Sequence, residues 1–142
     1  MSSPFHEGEQ SVQARLGVRE DIEPWARKVV RAFLPEEHRA FYAELPFIVL
    51  AARDAAGRPW ATLLAEEPGF ISSPDPQSLQ LRVLPSAGDA LEGALVPESD
   101  IGLLGIELHT RRRNRVNGRV RGALGRGVAS GAAGRSGRRL RR

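Results

Sequence analysis

The first third of the chain shows the periodicity of amphipathic helices. Between residues 19 and 34, apolar side chains recur at alternating steps of three and one, which places them on one helical face. Acidic residues open this segment and basic residues lie nearer its end, an order that suits the helix dipole. Pro35 ends it. A weaker helix is predicted before it, over Glu9–Leu16, and another after it, over Glu36–Leu45, which Pro46 terminates.

From residue 47 onward the apolar positions follow the pattern of strands. Phe47–Ala52 is a continuous apolar run, and Arg58–Ala65 follows it after an Asp-Ala-Ala-Gly turn, so the two predict a hairpin. Pro85–Glu98 is predicted to be a long connection. Asn117-Gly118 is predicted to be either a hairpin turn or a bulge. Further strands are predicted over Gly69–Ser72, Ser78–Leu84, Asp100–Thr110 and Arg111–Val120.

The order of these elements defines the fold class. Helices come first and about six strands with short turns follow, and the absence of β-α-β alternation argues against a doubly wound parallel sheet. We therefore predict a mainly β (α+β) fold, in which a small antiparallel barrel carries an N-terminal helical cover. In this division residues 1–46 form the helical segment, residues 47–120 form the barrel, and residues 121–142 form a disordered basic tail.

The charge of the chain is concentrated at its C-terminal end. Residues 1–110 hold 9 of the 21 basic residues and all 17 acids, a net charge of −8, whereas residues 111–142 hold the other 12, all Arg, and no acid. From residue 121 onward, 19 of 22 residues are Gly, Ala, Arg or Ser, too little apolar surface to offset the entropy of ordering. Polyanion or nucleic-acid binding through this segment is an alternative function. Against it, the tail has no aromatic residues for base stacking.

Several classes of protein are excluded by what the chain of 142 residues lacks. Without cysteine it has no disulfide scaffold, thiolate metal centre or Cys nucleophile. The three histidines, His6, His38 and His109, show no metal-binding spacing, so we expect surface or capping roles and no metal site. The N-terminus carries no secretory signal, and no apolar run approaches the about 20 residues of a membrane span. These features predict a cytoplasmic protein with no membrane partner.

Two groups of polar residues are candidates for binding an anion. Ser72 and Ser73 lie at the end of a predicted strand, where their hydroxyls either cap the turn or hold a phosphate. The run Arg111–Arg115 follows an apolar strand, so it is either a solvated face or a rigid ladder of guanidinium groups suited to phosphate. The Trp60 side chain either is part of the core or packs against a flat ligand.

Three motifs resemble one known family. PWATLLA (59–65), GFISSPD (69–75) and DIGLLGIELHTRRRNRVNGRV (100–120), in this order, resemble the flavin-binding split-barrel proteins related to pyridoxamine 5′-phosphate oxidase. The opening FHEGEQSVQARLGV (5–18) is similar to the larger bacterial branch of that family, and the resemblance covers residues 5–120. It implies a six-stranded split β-barrel that forms a homodimer with FMN at the dimer interface. As an enzyme, such a protein would transfer a hydride or an electron through FMN.

The resemblance also implies which residues hold FMN. The residues of the second strand would lie along the isoalloxazine ring, and the two serines would lie near the phosphate. Two later arginines would reach the flavin or its phosphate. Because the ring carries the redox chemistry, no acid–base triad is expected. The small-molecule substrate and the electron donor stay open, and a ligand-free structural barrel is a further alternative. The implied cofactor-binding residues are Arg58, Trp60, Ala61, Thr62, Ser72, Ser73, Arg113 and Arg115.

The segment after residue 120 departs from the pattern of the family. In the family, further strand and helix sequence follows RVNGR, with a motif like NCPKY, whereas this chain changes abruptly to Gly, Ala, Arg and Ser. The change is typical of out-of-frame translation of GC-rich DNA, which suggests a truncated or frameshifted member. Translation of the downstream DNA in the other frames tests this hypothesis, and strand-like sequence in none of them would contradict it.

Overall fold

Three helices and seven strands occur in the part of the chain that the structure, a computed structural model, describes: residues 3–29, 31–124 and 127–131. The helices are α1 (Glu7–Arg15), α2 (Arg19–Val29) and α3 (Glu36–Ala43). The strands are β1 (Phe47–Arg53), β2 (Pro59–Ala65), β3 (Ile71–Ser72), β4 (Ser78–Leu81), β5 (Asp100–Glu107), β6 (Arg112–Leu124) and β7 (Gly127–Gly131). The chain divides into two units, Met1–Arg31 and Ala32–Arg142.

The first unit contains α1 and α2. A capping box begins α1: the His6 Nδ1 accepts from the Glu9 backbone N–H (3.2 Å), and the Glu9 carboxylate accepts from the His6 backbone N–H (2.9 Å). The capping role predicted for His6 is confirmed. In α2, Ala26 is buried, and Glu20 and Asp21 lie in the first turn.

The second helix ends earlier than the sequence predicts. Residues 31–35 are irregular, so the predicted extension of α2 to Leu34 is wrong. The Leu34 backbone N–H donates to the Pro76 carbonyl oxygen (2.6 Å), and its side chain is buried in the core of the second unit. Leu34 therefore serves the core of the sheet unit instead of the apolar face of α2.

The second unit holds one antiparallel sheet in the order β2-β1-β5-β6-β7-β4-β3. The predicted hairpin is confirmed, with Phe47 of β1 opposite Ala65 of β2. β5 pairs with the other side of β1, and β6 pairs with β5. Because β2 and β3 stand at opposite ends of this order, the sheet is not closed, and the predicted barrel is not confirmed.

Helix α3 packs on one side of this sheet, which we call the inner face. Gly105 of β5 lies directly beneath the helix: a Cβ there would lie 2.7 Å from Leu45 Cδ1 and 2.9 Å from Phe41 Cε1. The Tyr42 hydroxyl donates to the buried carbonyl oxygen of Asn114 on β6 (3.1 Å), and burial raises the pKa of Tyr42. The sheet contributes to this core the buried side chains of Ile48, Leu50, Leu79, Leu81, Ile101, Leu103, Val116 and Val120.

The structure differs from the sequence prediction after residue 120. β6 continues to Leu124 with a register shift between Val120 and Gly122, and β7 pairs with both β6 and β4. Backbone hydrogen bonds alone form such ladders, so a segment of small residues can enter a sheet without a side-chain pattern that predicts it. The rest of the predicted tail, residues 125, 126 and 132–142, lies outside the described residues, and the polyanion-binding alternative stays a prediction.

The Asn117-Gly118 dipeptide lies within β6. Asn117 and Gly118 pair with Gly102 and Ile101 in a continuous ladder, so they form neither a hairpin turn nor a bulge. The chain reverses at residues 108–111, where the two predicted strands meet and where Arg111 has a φ of 58°. The hairpin therefore places the whole of the Arg113–Asn117 segment on a regular strand.

Candidate functional site

The side of the sheet opposite α3, which we call the outer face, presents alternate residues of β2, β1, β5 and β6. Neighbouring strands lie about 4.8 Å apart, and rows two residues apart along a strand are separated by about 6.6 Å. The first row is formed by Ala61, Ala51, Gly102 and Asn117, and the second by Leu63, Val49, Leu104 and Arg115. A third row joins Ile106 to Arg113. Within these rows β2, β1 and β5 contribute apolar residues and β6 contributes polar ones, and the charged residues Arg53 of β1 and Asp100 of β5 lie one row beyond them.

The apolar part of the outer face is open to solvent. Leu63 is 58% exposed, and Ala51 and Ala61 are exposed beside it. Val49 and Leu104 are only half-buried, although their strands are internal to the sheet. A single exposed leucine is ordinary, whereas a contiguous apolar surface of several side chains marks a binding surface.

Arg113 and Arg115 border this surface from β6. Both side chains are exposed, and among the described residues neither has a carboxylate within ion-pair distance. Arg119 on the same face differs, because it lies 3.6 Å from a carboxylate oxygen of Glu98 and 3.5 Å from one of Asp100. Guanidinium groups without a carboxylate partner keep their donors for an external anion.

The predicted alternation along β6 is confirmed. Arg113, Arg115 and Asn117 share the outer face, while Val116 and Asn114 are buried on the inner one. The Arg115 Nε donates to the Asn117 Oδ1 (3.3 Å), so these two outer-face side chains are linked. The regular ladder with β5 holds all three at fixed positions.

The predicted aromatic residue of the site lies on the other side of β2. Trp60 pairs with Ala52, whose side chain is buried on the inner face. Its Nε1 donates to the Asp54 Oδ2 (2.9 Å), and the Arg58 Nε donates to the same oxygen (2.8 Å). The Arg58 guanidinium carbon lies 6.0 Å from the centre of the Trp60 ring. Arg58 and Trp60 thus form a cluster around the β1–β2 turn and not with Arg113.

The Thr62 hydroxyl also has a hydrogen-bond partner within the chain. Its position opposite Leu50 places it on the side of β2 that carries Trp60, and its hydroxyl donates to the Asp89 Oδ2. Of the three predicted ring-contacting residues of the second strand, Ala61 is therefore the one that shares the outer face with Arg113 and Arg115.

Ser72 and Ser73 lie in and directly after β3, which is at the end of the sheet opposite β2. Ser72 is exposed on β3. The Ser73 hydroxyl accepts from the Arg39 Nε (3.0 Å) and donates to the Asp75 carbonyl oxygen (2.7 Å), and the Arg39 Nη2 donates to the Ser73 carbonyl oxygen (2.7 Å). These contacts match the turn-capping alternative for Ser73. The sequence gives no signal for Arg39, because it lies 34 residues before Ser73.

The Asp54 carboxylate organises the β1–β2 turn. Its oxygens accept from the backbone N–H groups of Ala56 and Arg58, and from the side chains of Arg58 and Trp60. The bonds from Arg58 and Trp60, the Arg58 backbone bond first, lower the pKa of Asp54 to about 2. Because the pKa of Asp54 is lower in the folded chain than in the unfolded one, the ionised carboxylate stabilises the folded state at pH values above the unfolded pKa. This stabilisation is lost as the pH falls through about 2.

This pKa predicts how Trp60 responds to acid. In a Trp25→Phe background, Trp60 fluorescence is expected to stay constant from neutral pH down to about 4, the ordinary Asp range, and to change as the pH approaches about 2. Asp54→Asn serves as the control, since it removes the titrating group and should abolish the transition. A transition centred at the ordinary Asp pKa would contradict the contacts described for Asp54.

Two further classes of feature are missing from the described ranges. No helix there is long and apolar enough to cross a bilayer. No group of three or more His, Asp or Glu side chains in the same residues is placed to hold a metal ion.

Comparison with known proteins shows similarity at the level of fold. No family model matches the chain, and no curated protein matches it. A single-residue variant of HupZ from Group A Streptococcus aligns with a TM-score of 0.50 at 12% identity, over 70% of this chain and 94% of that one. A "putative pyridoxamine 5′-phosphate oxidase" from Lactobacillus delbrueckii aligns with a TM-score of 0.50 at 16% identity, over 72% of this chain and 93% of that one. The mainly antiparallel fold of the chain is therefore similar to that of these two proteins.

Proposed function

We propose that the chain is a flavin-binding protein that holds FMN on its outer face. The observation that carries the proposal is the pair Arg113 and Arg115, exposed and without carboxylate partners, beside an exposed apolar surface. The similarity of the fold to that of a "putative pyridoxamine 5′-phosphate oxidase" supports the proposal. We further propose flavin-dependent oxidoreductase activity for the bound form.

The residues of the outer face fit the two parts of FMN. Its flat ring needs an apolar surface without protruding side chains, and Ala51, Ala61 and Gly102 form such a row across three strands. Its phosphate needs a cationic donor, which Arg113 supplies at the edge of that surface, and Arg115 lies beside Arg113 on the same face. Trp60, Thr62 and Ser73 support this proposal less, because each already has a partner within the chain.

The chain and the cofactor would divide the work between them. Bound FMN supplies the hydride- and electron-transfer chemistry. Arg113 holds its phosphate by charge-assisted hydrogen bonds, and the regular β5–β6 ladder fixes the position of this arginine. Leu63 and Leu104 exclude water from the neighbouring apolar surface.

We also propose that a second copy of the chain covers the apolar part of the outer face. Leu63 is 58% exposed on β2, and the row that it begins continues through Val49 and Leu104. Covering this row with the same row of another molecule would remove apolar surface from water, which is the main favourable term in association. The polar β6 border then lies at the margin of the interface.

A titration of FMN followed by flavin fluorescence tests the ligand assignment. Arg113→Ala is expected to weaken binding by about 10- to 150-fold, the equivalent of the 1.5–3 kcal/mol of a hydrogen bond to a charged group. Arg121→Ala is the matched control: it removes an exposed arginine from the same strand, one that lies 3.8 Å from a Glu98 carboxylate oxygen. The control should bind like the unaltered chain. Absence of saturable binding by that chain, or equal losses in both variants, would contradict the proposal.

A further inference from the structure

Resting on the FMN proposal, we propose that Arg113 and Arg115 have different roles. Arg113 binds the phosphate. Arg115 is a positioning residue that orients the side-chain amide of Asn117, and the amide nitrogen of Asn117 donates to a carbonyl oxygen at the edge of the ligand's planar ring. Asn117 therefore selects a ring that carries carbonyl acceptors on its edge, as a flavin does.

The hydrogen bond between Arg115 and Asn117 determines the orientation of the amide. The Arg115 Nε donates to the Asn117 Oδ1 (3.3 Å). A guanidinium group has donors and no acceptor, so only the amide oxygen can face it. The two N–H groups of the Asn117 amide nitrogen therefore point away from Arg115, where they can meet an acceptor on a ligand.

The neighbouring strand leaves space for this amide. Gly102 stands opposite Asn117 on β5, and a Cβ at Gly102 would lie 3.4 Å from the Asn117 Oδ1. The absence of a side chain there lets the amide lie low on the outer face. Beyond Gly102 the row continues with Ala51 and Ala61, whose methyl groups are the tallest features, so a flat ring can reach the edge of the amide.

The spacing along β6 separates the two ends of the ligand. Asn117 and Arg113 are four residues apart on one face of a regular strand, a distance of about 13 Å. FMN carries its carbonyl-bearing ring edge and its phosphate at opposite ends of the molecule. One side chain can therefore serve each end, while Arg115 lies between them with its Nε directed at Asn117.

Riboflavin, which has the same ring without the phosphate, distinguishes these roles. The unaltered chain and the variants Arg113→Ala, Arg115→Ala and Asn117→Ala are each titrated with FMN and with riboflavin. Arg113→Ala should weaken FMN and leave riboflavin unchanged. Asn117→Ala should weaken both ligands equally, by about 2- to 12-fold, the range of a neutral hydrogen bond of 0.5–1.5 kcal/mol. Arg115→Ala should also leave the ratio of the FMN and riboflavin affinities unchanged.

The visible absorption spectrum of the bound flavin gives a second measurement. A hydrogen bond to a ring carbonyl shifts the flavin bands, so Asn117→Ala and Arg115→Ala should change the spectrum of the complex in the same direction. Arg113→Ala should leave that spectrum unaltered. Asn117→Asp keeps the size of the side chain, replaces the donor by a carboxylate that pairs with Arg115, and should weaken both ligands.

Each outcome decides between the two proposals. If the unaltered chain binds FMN but Arg115→Ala lowers the FMN to riboflavin ratio as Arg113→Ala does, Arg115 binds phosphate and the division of roles is wrong. If Asn117→Ala changes neither affinity nor spectrum, the ring-edge assignment is wrong while FMN binding stands. If the unaltered chain binds neither ligand, the proposed function fails and this inference fails with it.

Discussion

Replacing Phe41 by alanine is expected to lower the free energy of unfolding by about 3–5 kcal/mol, the usual loss for a buried Phe. Its ring is buried between α3 and the sheet, with an edge contact to Tyr42 at 5.4 Å between ring centres. The guanidinium carbon of Arg112 lies 4.7 Å from the ring centre, and Gly105 leaves the space beneath the ring. The rigid sheet below cannot close the cavity, so the loss should lie in the upper part of the range.

Urea unfolding followed by circular dichroism measures this loss. Phe33→Ala is the matched control, since it truncates the same side chain in the same unit at a position that is 45% exposed. It should cost about 1 kcal/mol or less, as surface substitutions do. Equal losses in the two variants would show that α3 does not pack on the sheet as described.

Replacing Leu63 by glutamate is expected to abolish self-association. Leu63 is 58% exposed on the outer face, opposite Val49, at the β2 end of the apolar row that a second copy is proposed to cover. An unpaired charge buried in an interface costs about 3–5 kcal/mol, which corresponds to a dissociation constant raised by at least about 100-fold. The monomer itself should stay folded, because the substituted side chain is directed at solvent.

Sedimentation equilibrium measures this effect over a range of protein concentrations. Leu84→Glu is the control, because Leu84 is 46% exposed in the connection after β4 and not on the outer face. It should associate like the unaltered chain. A dimer that both variants leave intact would mean that the outer face is not the interface, and a chain that is monomeric throughout would contradict the homodimer proposal.

The elements with a strong local pattern could be predicted from the sequence. Phe47–Ala65 is a hairpin because two apolar runs flank an Asp-Ala-Ala-Gly turn, and the structure pairs them residue by residue. The alternation of Arg113, Arg115 and Asn117 with buried Asn114 and Val116 follows from the two-residue period of a strand. These patterns are local, so one chain contains all the information they need.

Contacts between distant residues could not be predicted in this way. The bond from Thr62 to Asp89 spans 27 residues, and the bond from Arg39 to Ser73 spans 34. Neither leaves a local signal. The resemblance therefore places Thr62 and Ser73 at a ligand, whereas the structure gives their hydroxyls partners within the chain.

The failure to predict β7 from the sequence has a related cause. β7, Gly127–Gly131, is built of small residues, and its order comes from ladders with β6 and β4. Such ladders use backbone groups that every residue except proline carries, so composition alone predicts a disordered segment. Only the three-dimensional arrangement shows that two strands are available to pair with it.

Chemical-shift mapping of the isotope-labelled chain with FMN tests the central claim most directly. FMN bound to the outer face should produce saturable shifts of the backbone amides of the outer-face residues Gly102, Leu104, Arg113, Arg115 and Asn117. Shifts confined to Ser72 and Ser73, or no shifts at FMN concentrations that saturate flavoproteins, would contradict it.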